Sequence, residues 1–240
     1  MQKGHTVLNA IRFEFIRLRT LRSTWFLLSG SLALQFVVAL MYAGQDELTG
    51  RERFVFSFTG ISLLLVTLLP TAVAVASFGH EYRYGTITTT VLTLRGTAKV
   101  LAAKALTVAA MAACTGLGLI GVTLLVDVLH GSTPEMWRVG QVLVAVVIFT
   151  TLSGLVGLGM AATTRNATVA VVTVLGFPTI IETLIVVGTK INTGLLPFNS
   201  AMQMVKLQEG GNPWLLPLPL AALAVVLLGT GGTLLARRDI

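Results

Sequence analysis

FGHEYRYGTITTTVLTLRGTAKVLAAKAL, residues 78–106, sets His80, Glu81, Arg83, Arg95 and Lys99 between two long hydrophobic runs. A polar island of this kind marks a chain that leaves an apolar layer and re-enters it. Outward from the island the composition agrees: 54% of residues are hydrophobic and 11% charged, with a mean hydropathy of +0.85. That is more apolar surface than one water-soluble core of 240 residues can enclose, so lipid must be the solvent for much of it. A span needs about 20 predominantly apolar residues to cross roughly 30 Å of hydrocarbon. Six segments qualify, at about 23–43, 54–77, 105–126, 141–163, 167–189 and 214–235. The predicted fold class is an all-α polytopic membrane protein with six transmembrane helices, a single domain over 1–240.

Charge orients it, because Lys and Arg accumulate on the cytoplasmic side of membrane proteins. Six spans bring both termini to one side. That side holds Lys3, Arg12, Arg17, Arg19, Arg22, Arg83, Arg95, Lys99, Lys104, Arg165, Arg237 and Arg238. Arg51, Arg53, Arg138, Lys190 and Lys206 fall on the other. Asp46, Glu47, Glu52, Asp127, Glu135 and Glu209 lean outward, against Glu14, Glu81 and Asp239 inside. Both termini are therefore expected to be cytoplasmic. The net charge of +7 reads as topology and attraction to anionic membrane lipid, not as a nucleic-acid surface.

Several chemistries find no support. No G-x-x-x-x-G-K-[ST] phosphate loop exists, nor any Gly-Lys pair, so nucleotide hydrolysis must come from another polypeptide. Leu28-Ser29-Gly30 and Leu152-Ser153-Gly154 imitate an ATPase signature but lie inside predicted spans. Cys114 stands alone inside the third span, where a small buried role is expected. His5, His80 and His130 lie away from membrane depth, and the Asp127, His130 and Glu135 spacing matches no common metal site, so a solvated loop is expected there. Metal and catalytic residues are not expected.

Residues 5–22 put Leu8, Ile11, Phe15 and Leu18 on one helical stripe, as for a helix lying at the membrane interface. In the island, residues 81–94 could form a short helix after a break at Gly79. Glu81, Tyr82, Arg83 and Tyr84 offer charged and aromatic anchors for a groove on a soluble partner, and Gly85 lets the backbone turn. Residues 44–53 and 127–140 read as outer loops. Thr163 to Asn166 form a tight hairpin between spans four and five, and 190–213 holds short helices at the outer leaflet. Glu182 lies some 20 Å along span five, where an ionisable group needs a partner or water. It could lock the spans to the outer helices, line a path or couple to protons. Gln35, Thr59, Ser62, Thr179 and Thr183 are the other polar candidates for a path.

An acid, a Gly-Thr pair four residues on, a short amphipathic stretch and a Lys at the mouth of the next span follow one another as Glu81, Gly85, Thr86 and Lys104. On these residues the chain resembles the type-2 ABC exporter permeases. The likeness is to the short, six-span permeases of high-GC Gram-positive (actinobacterial) bacteria, which open with Arg-rich segments like FEFIRLRTLRSTW, residues 13–25. Leu94-Arg95-Gly96 departs from the family, which commonly carries a Pro before the basic residue.

The resemblance implies a type V exporter-like arrangement. Its parts are an N-terminal interfacial connecting helix (1–22), a cytoplasmic coupling helix between spans two and three, and short external helices between spans five and six. It implies ATPase coupling through Glu81, Tyr82, Arg83, Tyr84, Gly85 and Thr86. It implies two ABC ATPase subunits that bind the ATP and Mg, with no cofactor on this chain, and a second permease copy as homodimer or heterodimer. Spans one, two and five would wall the path. The expected function is export of a hydrophobic or amphiphilic drug, antibiotic, lipid or peptide across a bacterial plasma membrane. The alternatives are an ATPase-coupled membrane anchor or mechanical transmitter, which usually displays a larger outer domain, and an ion-driven secondary transporter, which needs more intramembrane charge than Glu182.

Overall fold

The computed structural model describes residues 3–45, 47–87, 90, 96–131, 135–189, 192–206 and 212–238. Among these every regular element is helical: α1 (Lys3–Thr20), α2 (Arg22–Ala43), α3 (Gly50–Phe56), α4 (Ile61–Tyr84), α5 (Thr97–Leu129) and α6 (Met136–Thr164). Next come α7 (Ala167–Gly176), a π-helical segment (Phe177–Glu182), α8 (Thr183–Gly188), α9 (Pro197–Lys206) and α10 (Leu218–Arg238). Six stretches are long and apolar enough to cross a membrane, the fifth running through α7, the π segment and α8. The chain is a multi-pass membrane protein. Six crossings return it to the end of the bundle where it began, the near end; the far end carries α3 and α9.

Helix α6 is the centre, packed against α4, α5, α7, α9 and α10, and α2 lies against α4 and α5. The patterning is that of a protein in lipid. The inward face of α2 is small and polar, with Thr24, Ser31, Gln35, Ala39 and Ala43 buried, while Trp25, Phe26, Val37 and Met41 point outward. Apolar side chains gain nothing by hiding from hydrocarbon, so small residues that allow close approach and polar ones that hydrogen-bond take the interior. Pro70 gives an example. It lacks the N–H that would bond the Val66 carbonyl, and the Ser31 hydroxyl donates to that carbonyl instead at 2.7 Å.

Several sequence expectations are corrected here. The predicted second span, 54–77, joined two elements: α3 is separate and α4 starts at Ile61 and runs to Tyr84. The pattern Thr49-Gly50-Arg51-Glu52 is a capping box, with each side chain bonded to the other residue's backbone N–H. That signal could have revealed α3 within what read as loop and span. No break occurs at Gly79. The helix passes through it because α7 packs there, and a Cβ on Gly79 would stand 2.5 Å from the Cβ of Ala167. The outer loop at 127–140 is shorter than expected, since α5 runs to Leu129 and α6 begins at Met136. Asp127 is buried on α5 rather than solvated. Cys114, expected to be buried, is exposed on the outside of α5.

The hairpin at Thr163–Asn166 forms as expected. Arg165 turns it with φ 54°, and the Asn166 side chain caps α7 by accepting from the Thr168 and Val169 N–H groups. On α1 the buried face is Ala10, Glu14 and Leu18, whereas Phe13, Phe15 and Ile16 are exposed. The predicted stripe holds only at Leu18 among its described side chains that are buried or exposed, because the large apolar groups turn outward.

Candidate functional site

Three helices meet at the near end around Lys104, and each supplies what its period allows. On α1, Glu14 lies one turn from Ala10 and from Leu18 on the inward face. On α4, Ser77 and Glu81 are one turn apart on the face turned to α5. Lys104 is about two turns inside α5, not at its mouth, and its side chain is fully buried. Its ammonium donates to Glu14 Oε1 at 2.8 Å, Glu81 Oε1 at 2.9 Å and the Ser77 carbonyl at 3.1 Å. These use all three of its protons.

Arg17, one-fifth exposed, donates to Glu81 and lies 3.7 Å from Glu14 Oε2. The Phe78 ring lies 5.0 Å from the Lys104 nitrogen. Two acids and two bases thus neutralise one another where Glu14, Glu81 and Lys104 are buried, and an unpaired charge there would be very costly. The cluster is not closed: Glu81 Oε2 and the Ser77 hydroxyl have no partner.

Glu81 was expected to anchor a soluble partner; it faces inward, 2% exposed, because α4 continues past Gly79 and carries it to the Lys104 side. Tyr82 is half-buried, stacked on Phe78 at 5.9 Å, with the Arg165 guanidinium 5.6 Å from its ring. The α6–α7 hairpin therefore also touches the motif. Arg83 sits on the last turn of α4, and its side chain lies outside the described ones. Tyr84 is 69% exposed, and Gly85 and Thr86 are exposed with it.

The Gly-Thr pair ends the helix. Gly85 adopts φ 66°, its N–H bonds the Tyr82 carbonyl, and the Thr86 N–H bonds the Glu81 carbonyl. This is a Schellman motif, in which a left-handed residue satisfies the last carbonyls. Beside it lies an open groove of about 520 Å³, lined by Phe13, Arg17, Leu21, His80, Glu81, Tyr84, Thr86 and Thr90. Residues 88, 89 and 91–95, with most of the expected coupling helix, lie outside the described residues.

The path candidates do not come together. Gln35 is fully buried inside the bundle, donating to Thr123 Oγ1 at 2.8 Å. Thr59 lies in the turn between α3 and α4 rather than in a span, and bonds the Phe56 carbonyl. Ser62 is half-buried on the first turn of α4. Thr179 and Thr183 are exposed on the outer side of the fifth span, and their hydroxyls bond carbonyls of their own helix.

Glu182 is fully buried at the end of the π segment. It accepts from the Phe198 N–H at 2.9 Å, the Asn199 N–H at 2.8 Å and the Asn199 side chain at 3.1 Å. A carboxylate there meets the free N–H groups and positive dipole end of α9. Ser200 adds a bond to the Leu216 carbonyl at 2.7 Å, so α9 is tied to both flanking spans.

Sequence reasoning missed Glu14. An acid in an Arg-rich segment reads as a surface charge, and only its pairing with Lys104 reveals it. Among the described residues no group of three or more His, Cys, Asp or Glu side chains is placed to hold a metal ion.

A family model described as ABC-2 family transporter protein matches residues 10–187, from Ala10 of α1 through the fifth span. The chain belongs to that family. The match takes in Glu14, Arg17, Glu81 and Lys104 together, so the ion cluster lies wholly within the part this permease shares with its family. No curated protein matches the permease.

Proposed function

We propose that this chain is the membrane subunit of an ATP-driven exporter. Two separately encoded ABC ATPase subunits, which bind the ATP and Mg, dock on its near, cytoplasmic face, and a second permease copy, identical or a sibling, completes the path across a bacterial plasma membrane. The cargo is a hydrophobic or amphiphilic compound.

The observation that carries this reading is the Glu14–Lys104–Glu81 cluster. It links a surface helix, α1, to two spans directly behind the exposed Tyr84-Gly85-Thr86 tip. A push on that tip or on α1 reaches α4 and α5 through a buried charge network, and the Arg165–Tyr82 contact passes it to the α6–α7 hairpin. Nucleotide can shift the spans only if the ATPase binds their two arrangements with different affinity.

The test is hydrolysis by the partner ATPase co-purified with the permease in nanodiscs, across a panel of lipids and amphiphilic drugs. Wild type is expected to show cargo-stimulated turnover. Tyr84→Ala should reduce it towards the basal rate while the fold is kept, because Tyr84 is exposed. Hydrolysis indifferent to every cargo and to Tyr84→Ala would overturn the reading.

A further inference from the structure

The groove of about 520 Å³ between α1 and the end of α4 has apolar and ionic parts side by side. Leu21, in its lining, joins α1 to α2. Span one opens just beyond it with Arg22 and an exposed Trp25, a base and an amphipathic ring of the kind that marks a membrane–water interface. Phe13 also lines the groove and is exposed together with Phe15 and Ile16, so the same level offers apolar surface to lipid. The groove therefore lies at headgroup depth. Its ionic part is Arg17 and Glu81. Arg17 donates to Glu81 through Nη1 and is one-fifth exposed, which leaves the rest of its N–H fork for another acceptor. Glu81 is 2% exposed, and among the described residues its Oε2 has no partner. A buried carboxylate oxygen without a donor is a standing cost that a ligand N–H can remove. His80, the remaining ionisable group of the lining, supplies an N–H in either protonation state.

We propose that this groove binds a phospholipid with a primary-amine, zwitterionic headgroup, a phosphatidylethanolamine of the near leaflet. Its phosphate takes the free N–H groups of Arg17, its ammonium donates to Glu81 Oε2, and its glycerol end lies against Phe13 and Leu21. Charge selects this headgroup. Arg17 and Lys104 already balance Glu14 and Glu81, so an anionic lipid brings an excess charge to a neutral cluster, whereas a zwitterion adds none and offers each group its opposite. A choline headgroup carries the same charges, but its methylated nitrogen has no N–H and leaves Glu81 Oε2 unpaired. A soluble phosphoethanolamine makes the ionic contacts without the apolar ones, and binds less well for that reason. A lipid held in this way joins α1 to the end of α4 beside the ion cluster. The site is independent of the export reading, and its test needs no ATPase, so either can fail alone.

The probes are phosphatidylethanolamine and its N-monomethyl, N,N-dimethyl and choline relatives with identical acyl chains, titrated onto the full-length wild-type permease in detergent. Bound lipid is counted by native mass spectrometry. Affinity should fall as N–H groups are removed, with the primary amine held about tenfold more tightly than choline, the loss of one charge-assisted hydrogen bond. Phosphatidylglycerol should bind no better than the choline lipid, and soluble phosphoethanolamine at the same concentration should not displace the primary-amine lipid. To place the site, phosphatidylethanolamine with a diazirine near the glycerol end of one chain is photolysed with the permease in nanodiscs. Peptides holding 13–21 and 80–86 should be labelled well above the lipid-facing residues of α10. Thr86→Trp, which fills the groove from an exposed position, should abolish both the headgroup preference and this labelling, with α10 labelling unchanged. Equal binding of ethanolamine and choline lipids, as when water alone serves Glu81, would overturn the proposal. So would a preference for phosphatidylglycerol, displacement by phosphoethanolamine, equal labelling of groove and α10, or a headgroup preference that survives Thr86→Trp.

Discussion

The two ends of the bundle solve the same problem, a buried acid, in opposite ways. At the near end Glu14 and Glu81 meet Lys104 and Arg17, four charges on long side chains from three helices. At the far end Glu182 meets the fixed N–H groups that open α9. Long side chains can follow a sliding helix and exchange partners, so the near end tolerates displacement. A carboxylate on two adjacent backbone N–H groups keeps its bonds only when the helix is docked, so the far end is held or released as a unit. The near end can accommodate movement, and the far end fixes a position.

The largest effect should come from Lys104→Met. It leaves Glu14 and Glu81 facing Arg17 alone, and breaking a buried ion pair by removing one partner costs about 3–5 kcal/mol. The thermal midpoint of the purified permease should drop sharply. Adding Glu14→Gln should recover part of the loss by restoring charge balance. If the double variant is no more stable than Lys104→Met, the near end is not the coupled network described.

Glu182→Gln sharpens the far side of the comparison. The amide keeps an acceptor but loses charge-assisted bonds, worth roughly 1.5–3 kcal/mol. Hydrogen exchange should accelerate at the Phe198 and Asn199 amides and along α9, with α6 unchanged. Exchange rising evenly through the whole bundle would show that α9 is not a separate unit. At the near end, Gly85→Ala forces an alanine into φ 66° and should cost about 1 kcal/mol. Exchange should rise at the Gly85-Thr86 turn, while the Lys104 cluster, a turn further in, should stay intact.

What the sequence disclosed follows from how local each signal is. Six apolar runs and the charge bias need no partner to be read, and they place the spans. Glu81 and Lys104 stood out as charges beside apolar runs. That they meet, with Glu14 as the third member, depends on contact between residues 90 apart, which no periodicity encodes. The orientation of α1 was misread because amphipathic rules learned in water put Phe15 inside; here Phe15 is 58% exposed and Ala10 is buried. The Thr49–Glu52 box was local and readable, yet the hydrophobic run from Phe54 onward concealed it.

That box gives the smallest effect and the mildest test of the far end. Glu52 is exposed, and its hydrogen bonds from the Thr49 backbone N–H and hydroxyl hold its carboxyl below its ordinary value of 4.5, helped by Arg51. Because the folded-state value is depressed, the contribution is fully present above 4.5 and is lost as pH falls through the lower folded value. Acidification should therefore loosen α3. The measurement is amide exchange of Glu52 and Arg53 against pH, corrected for intrinsic rate. Protection should decline only below 4.5, and Glu52→Gln should flatten that dependence. If α3 instead loosens together with α9, the far end is one acid-sensitive unit rather than two separately capped helices, and its contrast with the near end becomes one of charge rather than of geometry.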